Sequence, residues 1–523
     1  MLVLASIHLL LMLLSGAESF MESQKPKEYL ISETAKKDLM KLDKDLITNL
    51  MEYSDKLKKK ITQLQMIARE IREPLDAAKG MEEEYLSNPL HSFPLIRHMH
   101  QDWPHIEKFM KMPVGQDEIN FLQNKLPELP ASEDSKDASK AMYRLARTYN
   151  VTPWELSNGL IDGIQLGISQ THLTPLDFFE IGKLCFQWEH THAALLWFTS
   201  TPIFEEYEPA HKVLGFRKND VALMIARCLV ELGRKNEAED VLREQSYTAV
   251  NMSKLIELYD THSVYQRNYE PIHPLQYTDL CRSSHVPSPS RLHCRYNSST
   301  SPFLILAPLK MEEISLDPYI VVYHDVLSTN KIEEIIRWGD PRVEPTYVLH
   351  RELGDIRNNE RTALGTWISR NTLPPSNWNL LRYMSQKIRY LTGLKVMDLF
   401  SLQLIKYGFG AHYGPHTDYF NSSNRGVKLT GDRIATALFY LNDAPHGGAT
   451  VFPELKLKVN AERGKVLFWY NLKGETHDLD EKTMHGACPI IKGFKYVLTA
   501  WIDEWDQMFI QPTYRQGIRH HFF

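Results

Sequence analysis

Three side chains toward the C-terminal end of this 523-residue chain could hold a metal ion: His416 and Asp418, in the run His416-Thr417-Asp418, and His485. Two neutral imidazoles and one carboxylate can bind a single Fe(II) on one face and leave its other face open, a ligand set suited to O2 chemistry. Fe(II) in such a set keeps a net positive charge, which favours an anionic oxo-acid as a chelating co-ligand. An H-x-D pair is weak on its own in a chain with 22 His and 65 acidic residues, so the surrounding elements must decide.

Tyr407 to His416 is punctuated by Gly and Pro and reads as a loop leading into a strand. On a strand, residues two apart share a face, so His416 and Asp418 are expected to aim into one cavity. Between Asp418 and His485 lie two strand-like runs, Ile434 to Leu441 and Lys465 to Tyr470, bounded by turn residues. Short strands with tight turns predict an antiparallel jelly roll, in which distant strands can deliver the third ligand. Lys495 to Trp501 alternates, placing Lys495, Val497, Thr499 and Trp501 on one face. A lysine facing the inside of a barrel is costly unless paired. A dicarboxylic co-substrate would supply that partner, with Thr499 and Tyr407 as nearby hydroxyl donors. Phe439, Tyr440, Phe468, Trp469 and Trp501 are candidates for an apolar shell that keeps water from an oxidising centre.

These residues, together with Gly447-Gly-Ala-Thr-Val-Phe-Pro453, Phe468-Trp-Tyr-Asn-Leu472 and His485-Gly-Ala-Cys-Pro489, resemble the catalytic domain of the collagen prolyl 4-hydroxylase alpha-subunit family. The resemblance extends over essentially the whole chain. It implies a procollagen-proline 4-dioxygenase that uses Fe(II), 2-oxoglutarate and O2, with L-ascorbate as reductant, to hydroxylate peptidyl proline at C4. Succinate and CO2 would be the by-products. It further implies His416, Asp418 and His485 as the iron ligands and Lys495 as the anchor of the 2-oxoglutarate C5 carboxylate. Tyr407, Thr499 and Trp501 would line the same pocket. Prolyl 3- or lysyl hydroxylation, or a catalytically weakened peptide-binding subunit, are the alternatives. One position departs from the family pattern: Asp503 stands where a histidine eight residues after the lysine assists 2-oxoglutarate use, and an inward-pointing acid there should weaken co-substrate binding.

Residues 1–19 hold the apolar run Leu9 to Leu14 and read as a signal peptide, too short to span a bilayer. Asn150, Asn251, Asn297 and Asn421 head N-x-S/T sequons, which fits a secreted or luminal chain. The net charge of -5 gives no sign of nucleic-acid binding. Of the five cysteines, Cys281 and Cys294 are close in a polar Ser/Pro-rich stretch and are expected to pair. Cys185 and Cys228 lie in apolar helical surroundings and read as buried thiols. The family's partner for Cys488 lies further toward the C-terminus, where this chain has no cysteine, so Cys488 is expected to be free. The ending Arg519-His-His-Phe-Phe523 carries no K-D-E-L signal. The resemblance implies retention in the endoplasmic reticulum lumen by protein disulfide isomerase in an alpha2-beta2 tetramer.

The fold expected is multidomain. An all-α region, residues 20–140, shows heptad ladders (Leu50, Leu57, Leu64, Ile71; Leu39, Leu46, Tyr53, Ile67) suited to a coiled coil, which the resemblance makes a dimerisation region. Leu126 to Asp137 reads as a polar linker. Residues 141–265 contain two stretches, Leu176 to Phe198 and Val221 to Ala238, that look like tetratricopeptide (TPR) repeats. The family binds proline-rich peptide in this region, and Tyr143, Tyr149, Trp154, Trp188 and Tyr207 are candidate groove walls. A connector, residues 266–300, precedes an α+β catalytic domain, residues 301–523, with a double-stranded β-helix (jelly-roll) core. Helices at Ser328 to Gly339 and Asn377 to Thr392 should support its sheet, and Arg361 and Trp367 are candidates for the peptide entrance.

Overall fold

The computed structural model describes residues 32–161, 163–166, 173–200, 208–245, 249–262, 275–283, 291–346, 348–350, 354–356, 361–396, 401–420, 431–473 and 478–507. The expected signal peptide, Tyr207, the Asn421 sequon and the C-terminal Arg519 to Phe523 lie outside them. No helix among the described residues is long and apolar enough to cross a membrane. The chain divides into two compact units, Met1–Ser132 and Glu133–Phe523.

The first unit is helical. Helix α1, Glu33–Ala77, runs 45 residues from a Ser32 cap whose hydroxyl accepts from the Ala35 amide. Helices α2, Pro89–Lys111, and α3, Gln116–Lys125, follow. The α1 surface is tied down locally: Lys56 pairs with Glu118 at 2.5 Å, and Asn49 Nδ2 donates to the Glu118 carbonyl. Lys60 Nζ donates to the carbonyls of Met110 and Met112. Of the heptad positions, Leu39, Leu46, Tyr53, Leu57, Leu64, Ile67 and Ile71 are half-buried and Leu50 is exposed. Part of the ladder is therefore spent inside its own unit.

The second unit opens with α4, Ser132–Thr148, so of the stretch Leu126 to Asp137 read as a linker, Ser132 to Asp137 forms the first turns of a helix. Glu133 and Asp134 in its first turn suit the positive end of the helix dipole, a preference that looks like loop composition in the sequence. Helices α5 (Pro175–Gln187) and α6 (Thr191–Thr199) pack together, as do α7 (Lys218–Glu231) and α8 (Lys235–Glu244), with α9 (Ala249–His262) against the latter pair. Gly182 lets α5 approach α6: a Cβ there would sit 2.5 Å from the Phe198 ring. Helix α10, Leu275–Arg282, completes the helical part.

The remainder is built on two antiparallel sheets, with a separate two-stranded pair, Val348–His350 and Gly354–Ile356, beside them in the sequence. Strands β1 (Cys294–Asn297), β2 (Leu309–Leu316), β3 (Tyr319–His324), β4 (Glu344–Pro345), β5 (Leu364–Ile368), β6 (Leu402–Tyr407), β8 (Arg433–Tyr440), β11 (Val466–Tyr470) and β13 (Lys495–Asp503) form a nine-stranded sheet in the order β1-β2-β3-β11-β8-β13-β6-β5-β4. Strands β7 (Tyr413–His416), β9 (Thr450–Phe452), β10 (Leu457–Val459) and β12 (His485–Ala487) form a four-stranded sheet ordered β7-β12-β9-β10. This facing pair is consistent with the expected jelly roll. Helices α11, Thr329–Gly339, and α12, Trp378–Thr392, cover the outer face of the large sheet. Period-2 alternation then sorts residues between two cores. Phe439, Phe468, Leu498 and Ala500 point to the helix side. Tyr407, Tyr440, Trp469 and Val497 point between the sheets. Phe439 and Phe468, expected in the lining of the site, are therefore on the wrong face for it.

A third core joins the helical part to the small sheet: Tyr143, Tyr149, Phe178, Trp188 and Trp197 share it with Ala449, Val451, Cys488 and Ile491. Tyr143, Tyr149 and Trp188, expected as groove walls, are thus buried core residues, whereas Trp154 is 66% exposed. Tyr143 lies on the amphipathic α4, whose apolar face packs in this shared core.

The disulfide is also different from expectation. Cys281 bonds Cys488, 207 positions away, and Cys294 is an exposed free thiol. Helix α10 packs on β9 and β10, where Tyr277 donates to the Ala487 carbonyl and Lys458 Nζ to the Cys281 carbonyl. That docking brings Cys281 to the end of β12, while Cys294 begins the edge strand of the other sheet. Cys185 and Cys228 are buried thiols, and burial pushes Cys228 up to about 12. Asn297, the head of a sequon, is buried, its side chain bonded to Thr300 and the Ser299 amide.

Non-reducing peptide mapping should recover a Cys281–Cys488 cross-linked peptide and alkylated Cys294. A Cys488→Ala variant should lose about 2–5 kcal/mol in denaturant unfolding, because the bond closes a long loop. Recovery of a Cys281–Cys294 peptide instead would sink this pairing.

Candidate metal centre and carboxylate pocket

His416 is the last residue of β7, Asp418 lies two residues on in a bend, and His485 opens β12, paired directly opposite His416. The strand ends at His416, so the expected strand spacing of His416 and Asp418 is realised by a turn. One ligand atom from each of the three lies within 4.8 Å of the others. His416 Nε2 is 3.7 Å from Asp418 Oδ1, and His485 Nε2 is 3.8 Å from Asp418 Oδ2.

The tautomers follow from the second bond each ring makes. Nδ1–H of His416 donates to the Gly414 carbonyl at 2.9 Å, and Nδ1–H of His485 to the Thr483 carbonyl at 3.0 Å. Each Nε2 is thereby left with its lone pair facing the cluster. Burial, reinforced by the neighbouring His485, pushes His416 down to about 3, so it is neutral and available as a ligand. Burial pushes the Asp418 carboxyl up, but the two imidazoles, Arg433 and the Thr436 hydroxyl outweigh it and hold it below the usual carboxylate range. Thr436 Oγ1 donates to Asp418 Oδ2 at 2.7 Å, and Asn471 Nδ2 donates to Thr436 Oγ1 at 3.2 Å. Neither Thr436 nor Asn471 is marked in the sequence as a site residue.

Aromatic rings close the space. Tyr413 stacks on His416 with centroids 3.6 Å apart, and Trp469 meets His485 edge-on at 4.7 Å. Arg361 lies under Tyr413, buried and bonded to Gln403, so it supports the lining rather than an open entrance. Trp367 is 42% exposed and packs against Trp501.

Beside the triad is a second feature. Lys495 is 1% exposed, lies opposite Tyr407 in the β6–β13 register, and has its Nζ 5.4 Å from the Tyr407 ring and 5.5 Å from the Tyr440 ring. Burial pushes its ammonium down to about 7. The Thr499 hydroxyl on the same face is buried with no hydrogen-bond partner among the described residues. A buried cation and an orphaned hydroxyl together fit an anionic ligand. Asp503 is half-exposed at the end of β13, opposite Arg433 in register, and its charge acts on that guanidinium. Arg433 is stacked 3.9 Å from the Trp501 ring and 4.2 Å from the Phe420 ring. The acid that breaks the family pattern is therefore opposed by a positive charge.

An antiparallel double sheet with a two-histidine, one-carboxylate cluster defines the class. Residues 402–503 match the model of the 2OG-Fe(II) oxygenase superfamily, and residues 32–163 match that of the prolyl 4-hydroxylase alpha-subunit N-terminal region. Human prolyl 4-hydroxylase subunit alpha-1 is 29% identical over 507 residues, covering 91% of this chain and 93% of its own length. The chicken subunit alpha-2 is 28% identical, covering 92% and 94%. A solved viral collagen prolyl hydroxylase from Paramecium bursaria Chlorella virus-1, in its 2OG complex, aligns at 22% identity over 35% of this chain and 95% of that one, with a TM-score of 0.28. The chain is thus similar to prolyl 4-hydroxylase alpha subunits over nine-tenths of its length and carries a 2OG-Fe(II) oxygenase region.

Thr436→Val should weaken Fe(II) binding by about tenfold or more, the usual cost of removing a partner that orients a metal ligand; an anaerobic metal titration reads this, and unchanged affinity would refute the role. Lys495 must be protonated to hold a carboxylate, and its depressed pKa places the loss of charge near neutrality. The KM for 2-oxoglutarate should rise by up to about tenfold per pH unit above 7, and Lys495→Arg should flatten that profile.

Proposed function

We propose that this chain is the catalytic alpha subunit of a procollagen-type prolyl 4-hydroxylase, a 2-oxoglutarate-dependent dioxygenase. The observation that carries the reading is the buried His416–Asp418–His485 cluster beside a buried lysine that pairs with no carboxylate among the described residues. Peptidyl proline, O2 and 2-oxoglutarate would be converted to 4-hydroxyproline, succinate and CO2.

His416, Asp418 and His485 would hold the iron through Nε2, a carboxylate oxygen and Nε2. Fe(II), when bound, supplies the redox chemistry that couples O2 and the oxo-acid to C–H hydroxylation. Lys495 would hold the distal carboxylate of 2-oxoglutarate by charge and Thr499 by a hydrogen bond, with Tyr407 and Trp501 walling the pocket. Thr436 keeps the Asp418 carboxylate turned toward the cluster. Tyr413, Phe452 and Trp469, packed on the histidine rings, exclude water.

Further parts of the reading rest on family likeness and chemistry. The helix pairs α5/α6 and α7/α8 would form a TPR-like platform for proline-rich peptide, and the exposed apolar residues of α1 a coiled-coil contact with a second alpha subunit. Protein disulfide isomerase would be the beta subunit of an alpha2-beta2 tetramer and retain the chain in the endoplasmic reticulum lumen. Ascorbate would restore iron oxidised in uncoupled cycles.

The test is turnover of a Pro-Pro-Gly repeat peptide by the chain co-expressed with protein disulfide isomerase, with Fe(II), 2-oxoglutarate and ascorbate. Fragment mass spectrometry should locate oxygen at C4 of the proline before glycine. His416→Ala and Lys495→Ala should each abolish it, the latter with partial recovery at high 2-oxoglutarate. Oxygen at C3, or on lysine, would assign one of the related hydroxylases instead. Absence of both hydroxylation and 2-oxoglutarate decarboxylation would refute the enzyme reading.

A further inference from the structure

We propose that helices α4 and α10 are part of the oxygenase site, with Arg144, Tyr149 and Tyr277 acting as positioning residues for the metal ligands and for Lys495. This rests on the reading of the triad and Lys495 given above, and it makes these two helices components of the centre.

Three backbone segments frame the centre. Residues 408–412 lead into β7 and His416, residues 487–491 leave β12 and His485, and Gly447–Gly448 turns into β9. Each carries a buried carbonyl or a close approach met from the helical part. Arg144 Nη1 donates to the Gly410 carbonyl at 2.7 Å, the Tyr149 hydroxyl to the Pro489 carbonyl at 2.7 Å, and the Tyr277 hydroxyl to the Ala487 carbonyl at 2.7 Å. All three donors are buried, Tyr277 completely. Cys281 adds a covalent tie to Cys488, three residues from His485.

The three segments are also bonded to one another. The Gly410 amide donates to the Ile490 carbonyl, the Ile490 amide to the Ala411 carbonyl, and the Gly448 amide to the Pro489 carbonyl. Gly448 in turn abuts the Lys495 stem, since a Cβ there would lie 3.4 Å from Lys495 Cδ. At Gly447 a Cβ would meet the Pro489 carbonyl at 2.3 Å and the Tyr149 hydroxyl at 2.9 Å. A displacement of the Tyr149 contact therefore reaches the carboxylate pocket through Pro489 and the double-glycine turn. A displacement of Tyr277 reaches His485 through Ala487. Metal and co-substrate sites tolerate errors of only about half an ångström in the groups that hold them, so these outer contacts set affinity.

Isosteric variants separate positioning from packing, because Tyr→Phe keeps the ring and removes only the bond. Tyr149→Phe, Tyr277→Phe, Arg144→Met and Arg144→Lys are compared in the full chain co-expressed with its protein disulfide isomerase partner. Anaerobic Fe(II) and 2-oxoglutarate titrations follow the charge-transfer absorption of the chelated oxo-acid and need no peptide turnover. Tyr277→Phe should weaken Fe(II) binding, and Tyr149→Phe the binding of 2-oxoglutarate at saturating iron, each by up to about tenfold, the low end for outer partners of a metal site. Thermal midpoints should move little, and Arg144→Lys should recover most of the loss seen in Arg144→Met. Lower thermal midpoints with unchanged Fe(II) and 2-oxoglutarate binding would overturn the proposal and leave these residues purely structural. A native chain that gives no charge-transfer band would refute the underlying oxygenase reading, an outcome distinct from variants that bind normally.

Discussion

Two hydrogen bonds of the same form underlie everything else in the centre: an imidazole Nδ1–H donating to the carbonyl two residues earlier, at His416 and again at His485. They decide which nitrogen is protonated, and so which nitrogen can be a ligand. His416 closes one short strand and His485 opens another, and the two lie directly opposite each other. Once both Nε2 atoms face the same point, the Asp418 carboxylate completes the set, and the Thr436 and Asn471 chain stops it from rotating away.

That arrangement needs a dry, rigid surround, and the large sheet supplies it by using its two faces differently. The outward face packs on α11 and α12 around an extensive apolar core. The inward face is given over to Tyr407, Tyr440, Trp469 and Lys495, large side chains buried between the two sheets. A lysine is tolerated there because its stem packs among aromatic rings while the head waits for an anion. The small sheet brings His416 and His485 together and is itself backed by the helical part.

The triad, the strands around it and the lysine pocket were legible in the sequence because they obey local rules. Alternation assigned Lys495 and Thr499 to one face, and turn residues bounded the β8 and β11 strands to within a residue or so. The features that escaped are those set by docking between distant segments. Nothing near Cys281 announces a partner 207 positions away. The acidic start of α4 has the composition of a linker, and its aromatic residues look equally suited to a peptide groove and to a core. The assignment of Phe439 and Phe468 failed for a simpler reason: an aromatic in a strand is equally good on either face, and only the register of the assembled sheet chooses. Thr436 went unnoticed because a threonine in a strand is ordinary until its neighbour is a metal ligand.

The edge-on contact of Trp469 with His485 also gives the protein an internal optical reporter. Trp469 is 1% exposed and its indole N–H has no hydrogen-bond partner among the described residues. Its emission is therefore that of an indole in a dry environment, shifted to shorter wavelength than a solvated tryptophan. An ion with a partly filled d shell on the adjacent imidazole would drain that excited state at very short range. Occupancy of the centre can then be followed from the chain's own blue-edge fluorescence, with no probe attached.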